Sequence, residues 1–146
     1  NLKSIAEIII KEKNERIFQV EKMISKFQLE SVKNIKGKYL SGGQKKRCAI
    51  AMALISNPKI ILMDEPFQGL DLITTRELQE TIVNLQTEDS SRCCIISDHA
   101  ARDLLAITDK AIVIANKKIV AKGSPSELII NQNAKSMYFG DSFKIN

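Results

Sequence analysis

Ile60-Ile61-Leu62-Met63 is an unbroken apolar run that ends on two adjacent carboxylates, Asp64 and Glu65, with Pro66 next. A continuous run of this kind is the composition of a central parallel strand covered on both faces, rather than of a strand with one wet side. A parallel strand needs a helical crossover to its neighbour, so this run restricts the chain to an α/β sheet with right-handed connections. Such a strand delivers its last residues into the crevice where ligands bind. The chemistry is therefore sought first at Asp64 and Glu65.

The remaining pattern fits that frame. Leu2 to about Phe27 reads as one helix, with Ser4 and Glu7 as a capping pair and Ile5, Ile8, Ile9, Ile17, Val20, Ile24 and Phe27 at broadly helical spacing. After a polar stretch, the Gly-rich turn Leu40-Ser41-Gly42-Gly43-Gln44 opens a second helix to about Ser56. Its segment Cys48 to Ile55 is apolar all round, which predicts burial. Asn57-Pro58 ends it. Thr74 and Glu77 predict the start of a helix to about Gln86, with Leu78, Ile82 and Leu85 on one stripe. Arg92 to Ser97 reads as a second buried strand and His99 to Ile107 as a helix. Lys110 to Ala115 and Lys118 to Lys122 read as strands around Asn116-Lys117, and Ser124-Pro125-Ser126-Glu127 as a capped helix start. No strands separate the opening helices. Residues 1–56 are accordingly expected to form a helical subdomain that includes the Gly-rich turn and its helix, and 57–146 the α/β part.

The chain of 146 residues, 44% apolar and 27% charged, is long enough for one domain with a real core. Its longest apolar run, Cys48 to Ile55, is far short of the roughly 20 residues that span a bilayer. It starts without a Met or a signal peptide, and reads as beginning mid-protein. The net charge of +5 gathers its basic excess at Lys33, Lys36, Lys38, Lys45, Lys46 and Arg47. Few aromatics are interleaved, so a solvated surface with some phosphate steering is expected, and no nucleic-acid partner. Cys48, Cys93 and Cys94 have no ligand spacing and read as reduced, mostly buried thiols of a cytosolic protein.

Three clusters can carry chemistry. Asp64 at a strand end can hold Mg²⁺ through water, and Glu65 can polarise an attacking water. Alone, the same pair also suits a cap for the following turn. At Ser41-Gly42-Gly43-Gln44 the glycines let backbone approach an anion, the helix start offers free N–H groups, and the Ser41 hydroxyl can donate. A plain Ser-capped turn has the same first three residues. His99, the single histidine, follows the second strand and is delivered beside the carboxylates, where it can bond a phosphate or position water. A lone histidine also serves as a helix cap or surface residue.

Taken in order, these residues resemble the C-terminal half of an ATP-binding-cassette (ABC) ATPase, a P-loop NTPase nucleotide-binding domain. The resemblance covers essentially the whole chain: signature loop Leu40–Gln44, Walker B strand Ile60–Asp64, catalytic Glu65, D-loop ending at Asp71, and switch His99. It implies ATP with Mg²⁺, the metal on Asp64, and a head-to-tail homodimer with a second nucleotide-binding subunit. Ser41, Gly42 and Gly43 would act in trans on the partner's nucleotide, with Gln44 and Asp71 also among the nucleotide-binding residues. Asp64, Glu65 and His99 would serve this chain's own phosphate loop. No Gly-x-x-x-x-Gly-Lys-Ser/Thr occurs in these residues, so half of the expected ATP site is missing and the 146 residues alone are expected to be inactive.

Within the family, Asp64 to Asp71, Ser97-Asp98-His99, Gly123 to Leu128 and Met137 to Lys144 look like the ATPase subunit of lipopolysaccharide exporters. That implies integral-membrane permease partners and a peripheral place on the cytoplasmic face of the inner membrane. Met52 stands where the family often has Arg, and Leu72 where Pro is frequent. The alternatives are the ATPase of a branched-chain amino-acid importer, or a truncated, non-catalytic chain that only donates its signature loop. A chromosome-maintenance ATPase would need coiled coils or zinc modules for which the linkers leave no room. Whatever the subfamily, the part that completes the sheet is expected to cover an edge and an apolar face of this chain.

Overall fold

A computed structural model of the chain describes residues 1–140, 142 and 143. Asp141 and Lys144, both within the C-terminal resemblance, lie outside the described residues. Seven α-helices and four strands alternate among the described residues: α1 (Leu2–Ile9), α2 (Lys13–Lys26), α3 (Gly42–Leu54), β1 (Ile60–Asp64), α4 (Leu72–Glu88), β2 (Cys93–Ser97), α5 (Ala101–Leu105), β3 (Ala111–Ala115), β4 (Lys118–Gly123), α6 (Pro125–Ile130) and α7 (Gln132–Ala134). A π-helical turn, Lys135–Phe139, continues α7.

The single opening helix expected from the sequence is two. Ile10 turns to extended geometry (φ −111°, ψ 116°), and the Glu12 carboxylate accepts the Glu15 N–H at 2.6 Å to cap α2. Lys11 to Arg16 offers no apolar residue to continue the buried stripe, so capping wins locally. Ser4 and Glu7 form no capping box, because α1 already begins at Leu2. Helix α3 is not buried all round either. Ile50, Ala51 and Leu54 face the core against α1 and α2, while Ala49 and Ala53 are exposed. Helix α4 begins at Leu72, two residues before Thr74, because Asp71 is its cap. Helix α5 is shorter than expected, starting at Ala101.

β1 and β2 pair in parallel, from Ile60↔Cys93 to Asp64↔Ser97, with α4 as the crossover. β3 and β4 do not join that sheet. They form an antiparallel hairpin whose turn residues Asn116 and Lys117 both take positive φ (50° and 61°), the turn geometry that matches strand twist. β1 and β2 are covered on one face only, and the open one is the apolar face that the part completing the sheet is expected to cover. Ile61 and Met63 enter the core, whereas Ile60 is 61% exposed, Leu62 73% and Ile95 55%. Cys93 is exposed, not buried; Cys48 and Cys94 are half-buried, and all three thiols are free.

One buried cluster runs from Leu2, Ala6, Val20, Met23, Ile24, Phe27 and Leu29 through Ile50, Ala51 and Leu54 to Ile61, Met63, Phe67, Leu78, Ile82 and Leu85. A second gathers Leu105, Val113, Ala121, Leu128 and Ala134. Helix α5 touches both: Leu105 belongs to the second cluster, and Leu104 packs on the first, as does Ile107 just after the helix. The buried Arg92 guanidinium donates to Leu85 O (2.8 Å), Asn57 Oδ1 (2.9 Å) and Pro58 O (3.3 Å), tying the end of α4 to the entries of both strands. Beside it Asp89 is held down to about 2, chiefly by the Ser91 hydroxyl and N–H, with Lys59 adding to the effect. Because its pKa is depressed in the fold, this junction is stabilised above the ordinary aspartate range and weakens as pH falls through that range toward 2.

Leu85 is fully buried on α4, whereas Gln86 beside it is exposed. Leu85→Ala should therefore destabilise the intact protein by about 2–5 kcal/mol in denaturant unfolding. Gln86→Ala should change it by less than about 0.5 kcal/mol.

Candidate functional site

The parallel register sets Asp64 beside Ser97 at the C-terminal ends of β1 and β2, and the Ser97 hydroxyl donates to Asp64 Oδ1. One residue on, Glu65 N–H donates to Ser97 O at 2.7 Å, and the chain leaves the strand with Glu65 at φ 47°. A non-glycine residue in this left-handed region is uncommon and is held by its surroundings. Glu65 O accepts from Gln68 N–H (3.3 Å) and from the Lys46 ammonium. Glu65 Oε1 lies 3.2 Å from His99 Nε2; the imidazole is 85% exposed and the carboxylate side chain 33%. Asp98 straps the two loops together, its carboxylate accepting from Phe67 N–H (2.9 Å) and Ala100 N–H (2.8 Å).

The Gly-rich turn builds the second part. Ser41 caps α3: its Oγ accepts Gln44 N–H (3.3 Å), and its N–H donates to Gln44 Oε1 (2.9 Å). This capping box occupies an acceptor of Ser41 but leaves its hydroxyl proton free to donate. Gly43 is buried against α4. A Cβ added there would lie 2.5 Å from Thr74 Cγ2. Thr74 is itself fixed, its N–H and hydroxyl bonding the two oxygens of Asp71 at 2.9 and 2.7 Å. Those bonds, the hydroxyl's first, hold the Asp71 carboxyl below the usual aspartate range, so it caps α4 as an anion at neutral pH. A Cβ on Gly42 would meet Gly69 O and Leu70 Cδ2 at 3.8 Å, which places the Gly-rich turn beside the loop that leads to Asp71.

The sequence-predicted residues thus form two groups. Asp64, Glu65 and His99 converge at the strand ends; Ser41, Gly42, Gly43, Gln44 and Asp71 gather where α3 and α4 begin. Among the described residues no hydrogen bond joins Ser41 or Gln44 to Glu65 or His99. The first group suits proton transfer and a hard cation. The second is a helix start with free N–H groups beside a hydroxyl. No group of three or more His, Cys, Asp or Glu side chains among the described residues forms a metal cage. Mg²⁺ needs no such cage, since it takes one or two carboxylates plus phosphates and waters. Asp64, exposed and oriented by Ser97, is such a carboxylate.

Sequence reasoning passed over Lys46, Thr74, Ser97 and Asp98 as individual contributors. For Asp98 a signal existed: an Asp two residues before the N–H it accepts is a common turn device. Lys46 and Thr74 act across elements, and nothing local in the sequence marks them.

Residues 2–68 match the family model described as ABC transporter. The lipopolysaccharide export system ATP-binding protein LptB of Escherichia coli (strain K12) is 34% identical over 127 residues, 87% of this chain and 52% of that protein. LptB of Acidithiobacillus ferridurans is 34% identical over 145 residues, 99% of this chain and 59% of that protein. Among solved structures, cbiO1 from Clostridium perfringens, part of the ABC transporter complex cbiONQ, superposes with a TM-score of 0.76 at 27% identity. That superposition covers 90% of this chain and 53% of cbiO1. The chain spans about half the length of the curated relatives it matches.

The contact between Gly43 and Thr74 is directly testable. Gly43→Ala forces a methyl against a β-branched side chain with little rotamer freedom, and should cost about 1–3 kcal/mol in unfolding of the intact protein. Adding Thr74→Ser, which removes Cγ2 but keeps the hydroxyl on Asp71, should recover most of the loss.

Proposed function

Since this chain belongs to the ABC ATPase family and carries the C-terminal part of its nucleotide-binding domain, we propose that it serves a transport ATPase that hydrolyses Mg-ATP at a head-to-tail dimer interface. The observation that carries this reading is the pairing of Glu65 Oε1 with His99 Nε2 at 3.2 Å, at the ends of two parallel strands whose neighbouring carboxylate, Asp64, is free to take a cation. Bound Mg-ATP supplies the phosphoanhydride bond that is broken. Glu65 accepts the proton of the attacking water. His99, its Nε2 3.2 Å from Glu65 Oε1, stands where it can bond the γ-phosphate or position the attacking water. Asp64, steadied by Ser97, holds Mg²⁺.

In this reading the α3 start works on the nucleotide of a second copy. Gly42 and Gly43 bring backbone N–H groups close, and Ser41 donates its free hydroxyl proton, with Gln44 holding the turn. Asp71, in the loop beside Gly42, reaches the interface together with that turn. Residues 1–56 are the helical subdomain and 57–146 the C-terminal part of the core. Export of lipopolysaccharide is supported by the likeness to the two LptB proteins; integral-membrane permease partners and a peripheral site on the cytoplasmic face of the inner membrane belong to the same reading. No helix among the described residues is long and apolar enough to cross a membrane.

Glu65→Gln in the intact protein should leave ATP binding in place, lower phosphate release by roughly 10²–10⁴-fold, and trap an ATP-dependent dimer in size-exclusion chromatography. Retained turnover would remove Glu65 from its role. Residues 1–146 alone should release no phosphate above background, since they contain no phosphate loop.

A further inference from the structure

We propose that Lys46 is a positioning residue for Glu65, through which α3 controls the direction of the carboxylate on its own chain. The inference rests on Glu65 being the general base. Glu65 sits at φ 47°, and Pro66 follows it. Proline has no N–H, so the peptide plane after Glu65 can be anchored only through its carbonyl oxygen. Two donors reach that oxygen: Gln68 N–H, at a long 3.3 Å, and the ammonium of Lys46. A charged donor is the stronger of the two. Without it the turn hangs on the weaker bond while the backbone remains in a sparsely populated conformation.

Lys46 reaches this carbonyl from one turn inside α3, whose cap is Ser41. The same helix is braced on α4 by the Gly43–Thr74 contact and by Arg47 Nη1 on Glu77 Oε2 at 2.8 Å. α3 is thereby tied both to α4 and to the Glu65 turn, and the ammonium is the link that reaches the base. If the α3 start closes on a phosphate of the partner's nucleotide, the shift is passed to Glu65, so capture at one site aligns the base of the other.

The test uses the intact protein with Lys46→Met and Lys46→Arg. Lys46→Met should lower kcat roughly ten- to a hundredfold, the cost of a misplaced catalytic group, while KM for ATP stays within about twofold. Lys46→Arg, which keeps a charged donor, should recover most of kcat. Adding Lys46→Met to Glu65→Gln should leave the ATP-dependent dimer intact, and both Lys46 variants should unfold at the same denaturant midpoint without nucleotide. A merely structural lysine would move that midpoint and weaken the dimer. An unchanged kcat in Lys46→Met overturns the proposal, as does an equal kcat loss in Lys46→Arg. If Lys46→Met does not fold, Lys46→Gln decides: a normal kcat with an impaired midpoint overturns it, and a lowered kcat at normal KM supports it. Turnover by Glu65→Gln would sink the general-base reading itself, whereas a dead Glu65→Gln beside a fully active Lys46→Met sinks only the lysine.

Discussion

The five-rung parallel ladder between β1 and β2 is the constraint on which the site depends. Its last rung pairs Asp64 with Ser97, so the two strand ends finish level and each next residue, Glu65 and Asp98, steps into its loop side by side. A one-residue slip would exchange the faces of β2 and carry Ser97 away from Asp64. Two features pin the register. Arg92, at the entry of β2, bonds Pro58 O and the Asn57 amide at the entry of β1, and the Glu65 N–H extends the ladder onto Ser97 O. The geometry of the candidate site is thus an end effect of ordinary strand pairing, locked at both ends by polar contacts.

A second dependency runs through glycine. The turn before α3 reads as a phosphate cradle because small residues expose backbone there, yet Gly43 is also required by packing: its missing side chain makes room for Thr74. Thr74 in turn satisfies both oxygens of Asp71. The same residues therefore meet two demands, close approach of a ligand on one side and close approach of α4 on the other. Loss of activity at Gly43 alone would not separate the demands; stability has to be read beside it.

Much of this was legible in the sequence, for reasons that differ by element. β1 announced itself by an uninterrupted apolar run, the β3–β4 turn by Asn116-Lys117, and α6 by Ser124-Pro125 with Glu127, because each is dictated by neighbours in the chain. The strand-end residues Asp64, Glu65 and His99 follow from where parallel strands deliver their ends. Misreadings arose where two local preferences competed. Leu2 to Phe27 has helical spacing throughout, yet Glu12 caps a new helix in its middle. Thr74 with Glu77 imitates a helix start that Asp71 had already made. The open side of β1 and β2, at Ile60, Leu62 and Ile95, is no misreading, since an apolar face was expected to be covered by the part that completes the sheet. The Lys46 bond to the Glu65 carbonyl spans nineteen positions. No local pattern encodes it.

Helix α5 offers a different lesson. It is one and a half turns of helix that begin two residues after His99, and its leucines divide between the two buried clusters. Rolling it to improve one packing would open the other, so its orientation is a compromise between two cores. The imidazole is attached to the end of that compromise. Residues such as Val113 and Leu128, which touch nothing at the strand ends, thereby share in deciding where the histidine rests, and sequence drift in the distant core becomes a slow means of retuning the site.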